Sequence, residues 1–514
     1  MNSRQRILYY NWVDYLDGEA RGGGVTLYQR AVMAGMQARD DVDAVFLSAG
    51  LSYDLPARGP RWEAVRHGAR QDRDRRFEIV NSGVLAPAHH SFGDPAQLSH
   101  DATRDVFFDF VAATGPYDVI HFNNLEGLPA EVLQIKAHCP DTRVVLSLHN
   151  YYPICPQVNL WAQERESCED FQDGAGCGSC LVHRHDARML RLANGVSYRL
   201  RCAGLQPGTW AYDAIFRGVI GGGARAMRVL RRLRRKQVNV PVLSAEAAAT
   251  QAGAFVKRRA QMTALINRHC DMVLCVSDAV RELAERYGIA PELTRTSYIG
   301  TQAAQSFAHT TQKPMPTDQT LTLGYLGYMR RDKGFFFLLD ALEALPPNIA
   351  ARIRIVVAAR RADRATMARL AQLGERLAGV IYHDGYTHDD LDAVLAPVDV
   401  GIVPVLWHDN LPQVAIEMHA RHIPLLTSDR GGASELGRYA QMTFMAGDVQ
   451  DFASRLAGLL AGKVDMAAYW RGARVPIDVP AHVTDLLALY TEVLSLRTSR
   501  TKGTSVQGAE RLGS

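Results

Sequence analysis

The stretch Thr322–Leu342, TLGYLGYMRRDKGFFFLLDAL, decides the fold class. Thr322–Tyr328 is a short apolar run, Met329–Gly334 is polar and charged, and Phe336–Leu345 has the composition of a buried helix. A buried strand, a loop and a helix in that order form the repeating unit of a parallel sheet covered on both faces. The unit recurs downstream, with strands predicted at Ile353–Ala358, Gly379–Tyr382, Val398–Val403 and Leu425–Thr427, and a helix at Arg364–Ala378 among those between them. Upstream the same rhythm appears in Ile7–Trp12, a glycine-rich turn, the helical Thr26–Gln37, and strands at Ala44–Leu47, Asp118–Phe122 and Val144–His149. Met272–Ser277, the helix Asp278–Tyr287 and a last strand at Thr296–Ile299 complete that half.

A polar linker with two prolines, His309–Gln319, separates the halves. The expectation is therefore an α/β protein of two Rossmann-like domains facing across a cleft, residues 1–308 and 309–485. Residues 486–514 add a C-terminal helix and a polar tail, unstructured over Arg497–Ser514. The rhythm breaks between about residues 150 and 270, which read as an elaboration of the first domain. Ligands of open parallel sheets bind beyond the carboxyl ends of the strands, so polar residues just after strands are the candidates for function.

Bulk properties agree with a globular enzyme. A chain of 514 residues exceeds one ordinary core, and 47% hydrophobic with 22% charged residues is the usual balance. A formal charge of +4 over this length gives no reason to expect nucleic acid as a partner. The start, MNSRQRILYYNW, has no leader-like apolar region, and no apolar run approaches a bilayer span. The expected location is the cytoplasm, with peripheral contact at the inner face of the membrane as an option raised below.

Two segments carry a family likeness: GYLGYMRRDKG at Gly324–Gly334 and DNLPQVAIEMHARHIPLLTSDRGGASE at Asp409–Glu435. Weaker matches run from Arg21–Gly24 through His149 to the segment VLCVSDAVRELAERYGI. In this order they resemble the retaining glycosyltransferases of the two-domain GT-B superfamily, family 4 (group 1). The likeness implies a nucleotide-sugar donor, a saccharide or lipid-linked saccharide acceptor, and no catalytic metal. It also implies a role in surface-polysaccharide synthesis.

By that resemblance Lys333 binds the donor diphosphate. A fixed cation there stabilises the charge that grows on the leaving oxygen as the glycosidic bond breaks. The family arginine five residues earlier is Tyr328 here, so Arg330, Arg331 or Arg361 is expected to supply the missing charge. Asp409 and Glu417 stand eight positions apart, the spacing of the family's acidic pair, with aspartate replacing the usual first glutamate. Asp409 would contact hydroxyls of the donor sugar and Glu417 the ribose, since a carboxylate offers two acceptor oxygens and no competing donor. Asn410 and Leu411 would present backbone N–H groups to the donor. Gly431–Gly432 permit a turn, with Glu435 expected to cap the next helix.

On the first-domain side, Gly23 and Gly24 lie in a bend where backbone amides can approach the donor. The bend lacks GxGxxG spacing, and no GKS or GKT motif occurs, so dinucleotide oxidoreduction and ATP hydrolysis fit poorly. His149 takes the place of the family's active-site histidine. His121, Asn123, Asn124 and Glu126 form a second polar strand end, expected on the acceptor side.

Two further features stand apart. Cys155, Cys168, Cys177 and Cys180 fit either a structural zinc site or ordinary reduced thiols, with an iron–sulfur cluster as a third reading. Arg225, Arg228, Arg232 and Arg235 would share one helical face, suited either to anionic lipid or to solvent. The competing functional class is a non-catalytic carbohydrate- or nucleotide-binding protein of the same fold, motivated by Tyr328 and Asp409.

Overall fold

The computed structural model describes residues 4–19, 21–57, 59–181, 186–233, 245–316 and 320–507, without the side chains of 223–248 and 496–507. The chain forms two α/β domains. The strands of the first sheet are β1 (Gln5–Tyr10), β2 (Val42–Ala49), β3 (Arg61–Ala64), β4 (Arg76–Val80), β5 (Val119–Phe122) and β6 (Arg143–Leu148). A small antiparallel pair, β7 (Trp161–Ala162) and β8 (Glu166–Ser167), precedes its last two strands, β9 (Met272–Cys275) and β10 (Thr294–Thr296). The sheet order is β10-β9-β6-β5-β1-β2-β4-β3, parallel except for the edge pair β3–β4.

The second sheet is built from β11 (Leu321–Gly327), β12 (Ile353–Ala359), β13 (Gly379–Asp384), β14 (Val400–Val403), β15 (Leu425–Ser428) and β16 (Thr443–Phe444). Its order is β13-β12-β11-β14-β15-β16, parallel throughout. The central strands are buried along almost their whole length, as expected of sheets covered on both faces.

Several boundaries differ from the sequence reading. β3 and β4 were not anticipated: RWEA and RFEIV carry charges where a buried strand is recognised by apolar runs. The helix expected to reach Ala378 ends at Gln372, and Gly374 lies in the short turn that follows. The tail expected to be unstructured from Arg497 instead continues the helix Val479–Gln507, and residues 508–514 lie outside the described ones.

That last helix returns to the first domain, where Tyr490 bonds Tyr9 (2.9 Å) and His482 bonds Tyr28 (2.9 Å). Both contacts are buried, so the chain's end ties down the helix Gly23–Gln37 that borders the cleft.

Candidate functional site

A cavity of about 810 Å³ lies between the two domains, within the range of small-molecule sites. Gly23, Gly24, Thr26, Tyr28 and His149 line it from the first domain. Tyr328, Lys333, Arg360, Tyr386, Trp407, Asp409, Asn410, Leu411 and Glu417 line it from the second. Tyr328, Arg360, Gly385 and Pro404 in that lining directly follow β11, β12, β13 and β14, at the carboxyl strand ends where the open-sheet rule places ligands.

Lys333 and Asp409, distant in sequence, meet at 2.6 Å from Nζ to Oδ2. The ammonium also lies 4.8 Å from the centre of the Trp407 ring, on a face that attracts cations. Gly334 permits this approach. Its φ of +71° is left-handed, and a Cβ there would sit 1.6 Å from the Pro404 carbonyl oxygen. Only glycine lets the helix Phe335–Glu343 start so close to the strand β14 exit.

Glu417 is buried on the helix Gln413–His419, accepts a hydrogen bond from the Tyr386 hydroxyl (3.0 Å), and has His388 at 3.7 Å. Burial pushes its carboxyl above the ordinary value, and the Tyr386 and His388 contacts oppose that rise. The backbone N–H groups of Asn410 and Leu411 meet no acceptor among the described residues, and the Asn410 amide nitrogen is sealed without a partner. Buried donors left open beside a cavity are what an incoming oxygen-rich ligand satisfies.

Across the cleft, His149 stands just beyond β6, with its ring 4.6 Å from that of Tyr28. The Asn123 amide nitrogen already donates to Gln29, so its oxygen is left to accept from His149 Nε2 at 3.2 Å. Burial, helped by nearby His482, pushes the imidazole down to about 3. At neutral pH His149 is therefore uncharged and presents a polar edge rather than a cation.

The other first-domain candidates do not line the cavity. His121 is fully buried between the Tyr490 hydroxyl (2.6 Å) and Ser147 (2.7 Å). Asn124 bonds Asn11, and Glu126 accepts from the Ala88 N–H (2.6 Å) and the Asn150 amide (2.7 Å). Burial raises the Glu126 carboxyl to about 7. These residues brace the strand ends that carry His149 and Asn150 instead of facing a ligand.

None of the three candidate arginines lines the cavity. Arg330 pairs with Asp332 at 3.0 Å, Arg331 lies against Phe336, and the backbone N–H of Arg361 donates to Asp384. Arg360, one residue earlier, lines the cleft in their place. Side chains at the end of a strand alternate between faces, so a one-residue choice decides which arginine points inward. Tyr386, Trp407 and Tyr28 were likewise not singled out from sequence; aromatic residues carry no local mark that separates a cleft wall from a core.

Glu435 corrects a further expectation. It does not cap the next helix of its own domain but reaches the other one, accepting from the N–H groups of Asp278 (2.9 Å) and Ala279 (2.7 Å). These begin the helix Asp278–Arg286, whose positive end favours a carboxylate. The Tyr298 hydroxyl adds a third bond (2.5 Å), and Ser277 donates to the Asn410 carbonyl (2.7 Å). The loop bearing Asp409 is thus tied to the first domain on one side of the cavity. On another side Glu169 meets Arg430 (2.5 Å) and His408 (3.2 Å).

The zinc expectation finds no support. Among the described residues no group of three or more His, Cys, Asp or Glu side chains is arranged to hold a metal ion. Cys155, Cys168, Cys177 and Cys180 are all free thiols. Cys180 sulfur takes the Gln157 amide N–H at 3.0 Å, and burial pushes the Cys168 thiol up to about 11 and the Cys177 thiol to about 12. The basic segment Arg225–Lys236, including Arg228, Arg232 and Arg235, lies outside the described side chains.

Residues 320–462 match the sequence profile of the family described as "Glycosyl transferases group 1". Over that segment the second domain is similar to group 1 glycosyl transferases. A 122-residue segment is 31% identical to the "Putative teichuronic acid biosynthesis glycosyltransferase TuaC" of Bacillus subtilis (strain 168), covering 24% of this chain and 28% of that protein. The match thus spans little more than a quarter of that relative's length. The GT-B architecture itself extends over nearly the whole chain. A lipopolysaccharide outer core galactosyltransferase, WaaB, superposes with a TM-score of 0.53 at 10% identity, over 95% of this chain and all of the other. The N-terminal domain of Candida albicans trehalose-6-phosphate phosphatase gives 0.54 at 9% identity, over 96% and 97%. The α,α-trehalose 6-phosphate synthase of Burkholderia multivorans gives 0.50 at 14%, over 96% and 100%. At these identities the likeness is one of GT-B fold alone.

Proposed function

We propose that the chain is a retaining glycosyltransferase that takes a sugar from a nucleotide-sugar bound in the cleft. The observation that carries this reading is the Lys333–Asp409 pair, set in one cavity with Glu417 and facing His149. A donor diphosphate would draw Lys333 away from Asp409 and free that carboxylate for hydroxyls of the transferred sugar. Glu417, with Tyr386 beside it, suits the vicinal hydroxyls of a ribose. The open N–H groups of Asn410 and Leu411 add donors for phosphate or sugar oxygens, and Arg360 supplies the cationic charge that Tyr328 lacks.

In the step itself the bond from the anomeric carbon to the diphosphate oxygen breaks and a bond to an acceptor oxygen forms on the same face. The acceptor's proton passes to the departing diphosphate oxygen. Lys333 stabilises the charge arriving there, and neutral His149 lies on the opposite wall of the cleft without adding a competing positive charge. The acceptor approaches from the first domain and is a saccharide or lipid-linked saccharide of surface-polysaccharide synthesis.

The deciding experiment incubates the protein with a panel of nucleotide-sugars and reads products by mass spectrometry. Donor-dependent transfer, or slow donor hydrolysis without acceptor, is expected. Nucleotide binding with no turnover of any donor would favour the non-catalytic reading instead.

A membrane-bound acceptor fits the helix Trp210–Leu233. Trp210 is 86% exposed, and Ile215 and Val219 are about half exposed on the same helix. The basic run Arg225–Lys236 follows them in sequence, a pairing suited to anionic lipid. Among the described residues no helix is long and apolar enough to cross a membrane. The protein should pellet with vesicles containing phosphatidylglycerol and stay in solution with phosphatidylcholine alone; equal behaviour with both would remove this part of the reading.

A further inference from the structure

A run of contacts leads from the second domain to His149. Glu435 accepts from the Tyr298 hydroxyl (2.5 Å), and Arg474, whose N–H donates to the Leu436 carbonyl (2.8 Å), lies over the Tyr298 ring at 3.8 Å. The loop beginning at Tyr298 packs on the start of the helix Val479–Gln507. Thr301 N–H donates to the Ile477 carbonyl (3.0 Å), and a Cβ on Gly300 would lie 2.4 Å from the Cβ of His482. His482 is 2% exposed in the first turn of that helix. One edge of its ring meets the Tyr298 backbone, and Nε2 lies 2.9 Å from the Tyr28 hydroxyl. Tyr28 in turn lines the cleft, with its ring 4.6 Å from that of His149.

Burial sets the direction of these bonds. Tyr28 is 4% exposed, and its hydroxyl has no other partner among the described residues. Burial pushes the His482 imidazole down to about 4, so at neutral pH it carries a single N–H. A backbone carbonyl can only accept, so that N–H turns to Tyr298 and the bare Nε2 accepts from Tyr28. His149 has one side-chain hydrogen bond of its own, to Asn123 at 3.2 Å. A ring held at one atom can still tilt, and the Tyr28 ring packed beside it removes that freedom.

We propose that Tyr28 and His482 are positioning residues that hold the His149 ring in place at the cleft, and that Tyr298 and Glu435 tie this brace to the second domain. The loop bearing Asp409 and the ring of His149 are then aligned by one chain of contacts, although they stand on opposite walls. The proposal deepens the transferase reading and rests on it for what His149 does; the brace itself does not.

The test modifies the full chain with diethyl pyrocarbonate, which acylates neutral imidazoles, and follows His149 by peptide mass spectrometry. The rate at His149 should rise about fivefold in Tyr28→Phe and in His482→Leu, the factor that one lost hydrogen bond of ordinary strength gives to local opening. His482→Gln, whose amide oxygen can take the place of Nε2, should restore most of the original rate. Glu435→Ala should raise the rate in the same direction. Val493→Ala, a buried apolar position further along the same helix, should lower the melting temperature and leave the rate alone.

In transfer assays kcat should fall roughly tenfold in Tyr28→Phe and His482→Leu, because a small misplacement of a positioned group is enough to do this. KM for the donor and affinity for UDP or GDP should hold, since Lys333 and Glu417 lie on the other wall. The double variant Tyr28→Phe/His482→Leu should be no slower than His482→Leu, as both changes remove one bond. Additive losses, or an unchanged rate at His149 in both single variants, overturn the brace. An unchanged rate in Glu435→Ala overturns its link to the second domain. Should His482→Leu fail to fold, Tyr28→Phe removes a single oxygen and carries the test. If the unmodified chain turns over no donor, the transferase reading fails, while the modification rates still decide the brace.

Discussion

Replacing Lys333 by alanine is expected to reduce donor-dependent transfer by roughly two to three orders of magnitude, the usual cost of removing a group that stabilises developing charge. Lys333 is the cation in contact with Asp409 at the floor of the cleft, so the diphosphate loses its nearest positive charge. The fall should appear mainly in kcat, because the charge on the leaving oxygen is greatest in the transition state. Asp409 is 6% exposed and would be left without its partner, which argues for pairing the variant with Lys333→Ala/Asp409→Asn. The double variant should recover thermal stability lost by the single one but not activity. Transfer at the normal rate in Lys333→Ala would sink the diphosphate assignment, whatever the stability result.

Gly431→Ala should disable the same site without touching any polar side chain. Gly431 has a φ of +73°, and a Cβ on it would lie 1.9 Å from the Asp409 carbonyl oxygen. The left-handed backbone alone costs an alanine about 1 kcal/mol or more, and the clash forces the Asp409 loop to shift. Because Gly432 N–H bonds that same carbonyl (3.0 Å), the shift would propagate into Asn410 and its tie to Ser277. We expect a fall in melting temperature of several degrees and at least about a tenfold loss of nucleotide affinity, since misplacement of about 1 Å is enough to do this. Gly458→Ala is the control. It lies within the helix Val449–Leu460 with nothing near its would-be Cβ, so alanine there should be neutral or stabilising by about 0.5–1 kcal/mol. Unchanged nucleotide affinity in Gly431→Ala would show that the glycine turn does not hold the donor loop.

The two glycine turns show how far local pattern carries. A glycine after a charged loop and before an apolar helix marks Gly334 as a tight entry, and the structure supplies the reason in the Pro404 carbonyl behind it. Strand–loop–helix repetition similarly indicates two parallel sheets, because buried strands and their covering helices each have a short-range signature. Lys333, Asp409, Glu417 and His149, singled out through the family resemblance, line one cavity in the structure.

What failed were judgements that depend on a direction in space. Arg360 lines the cleft and Arg361 does not, although they are adjacent and chemically identical. His121 ends a strand as His149 nearly does, but the returning helix Val479–Gln507 places Tyr490 on it and closes it off. Glu435 looks like a helix cap for its own domain and instead caps a helix of the other. The cysteines look like a ligand set, yet they are free thiols and, among the described residues, form no group arranged to hold a metal ion.

The sequence by itself therefore determined the α/β class and the two parallel sheets, since these follow from short-range periodicity. Tertiary structure alone decided which arginine lines the cleft, that Lys333 meets Asp409, and that Glu435 bridges the domains. Each of those depends on which groups two separate sheets bring within a few ångströms of one another. Hydrogen bonds and ion pairs act only at that range, and distance along the chain does not encode it.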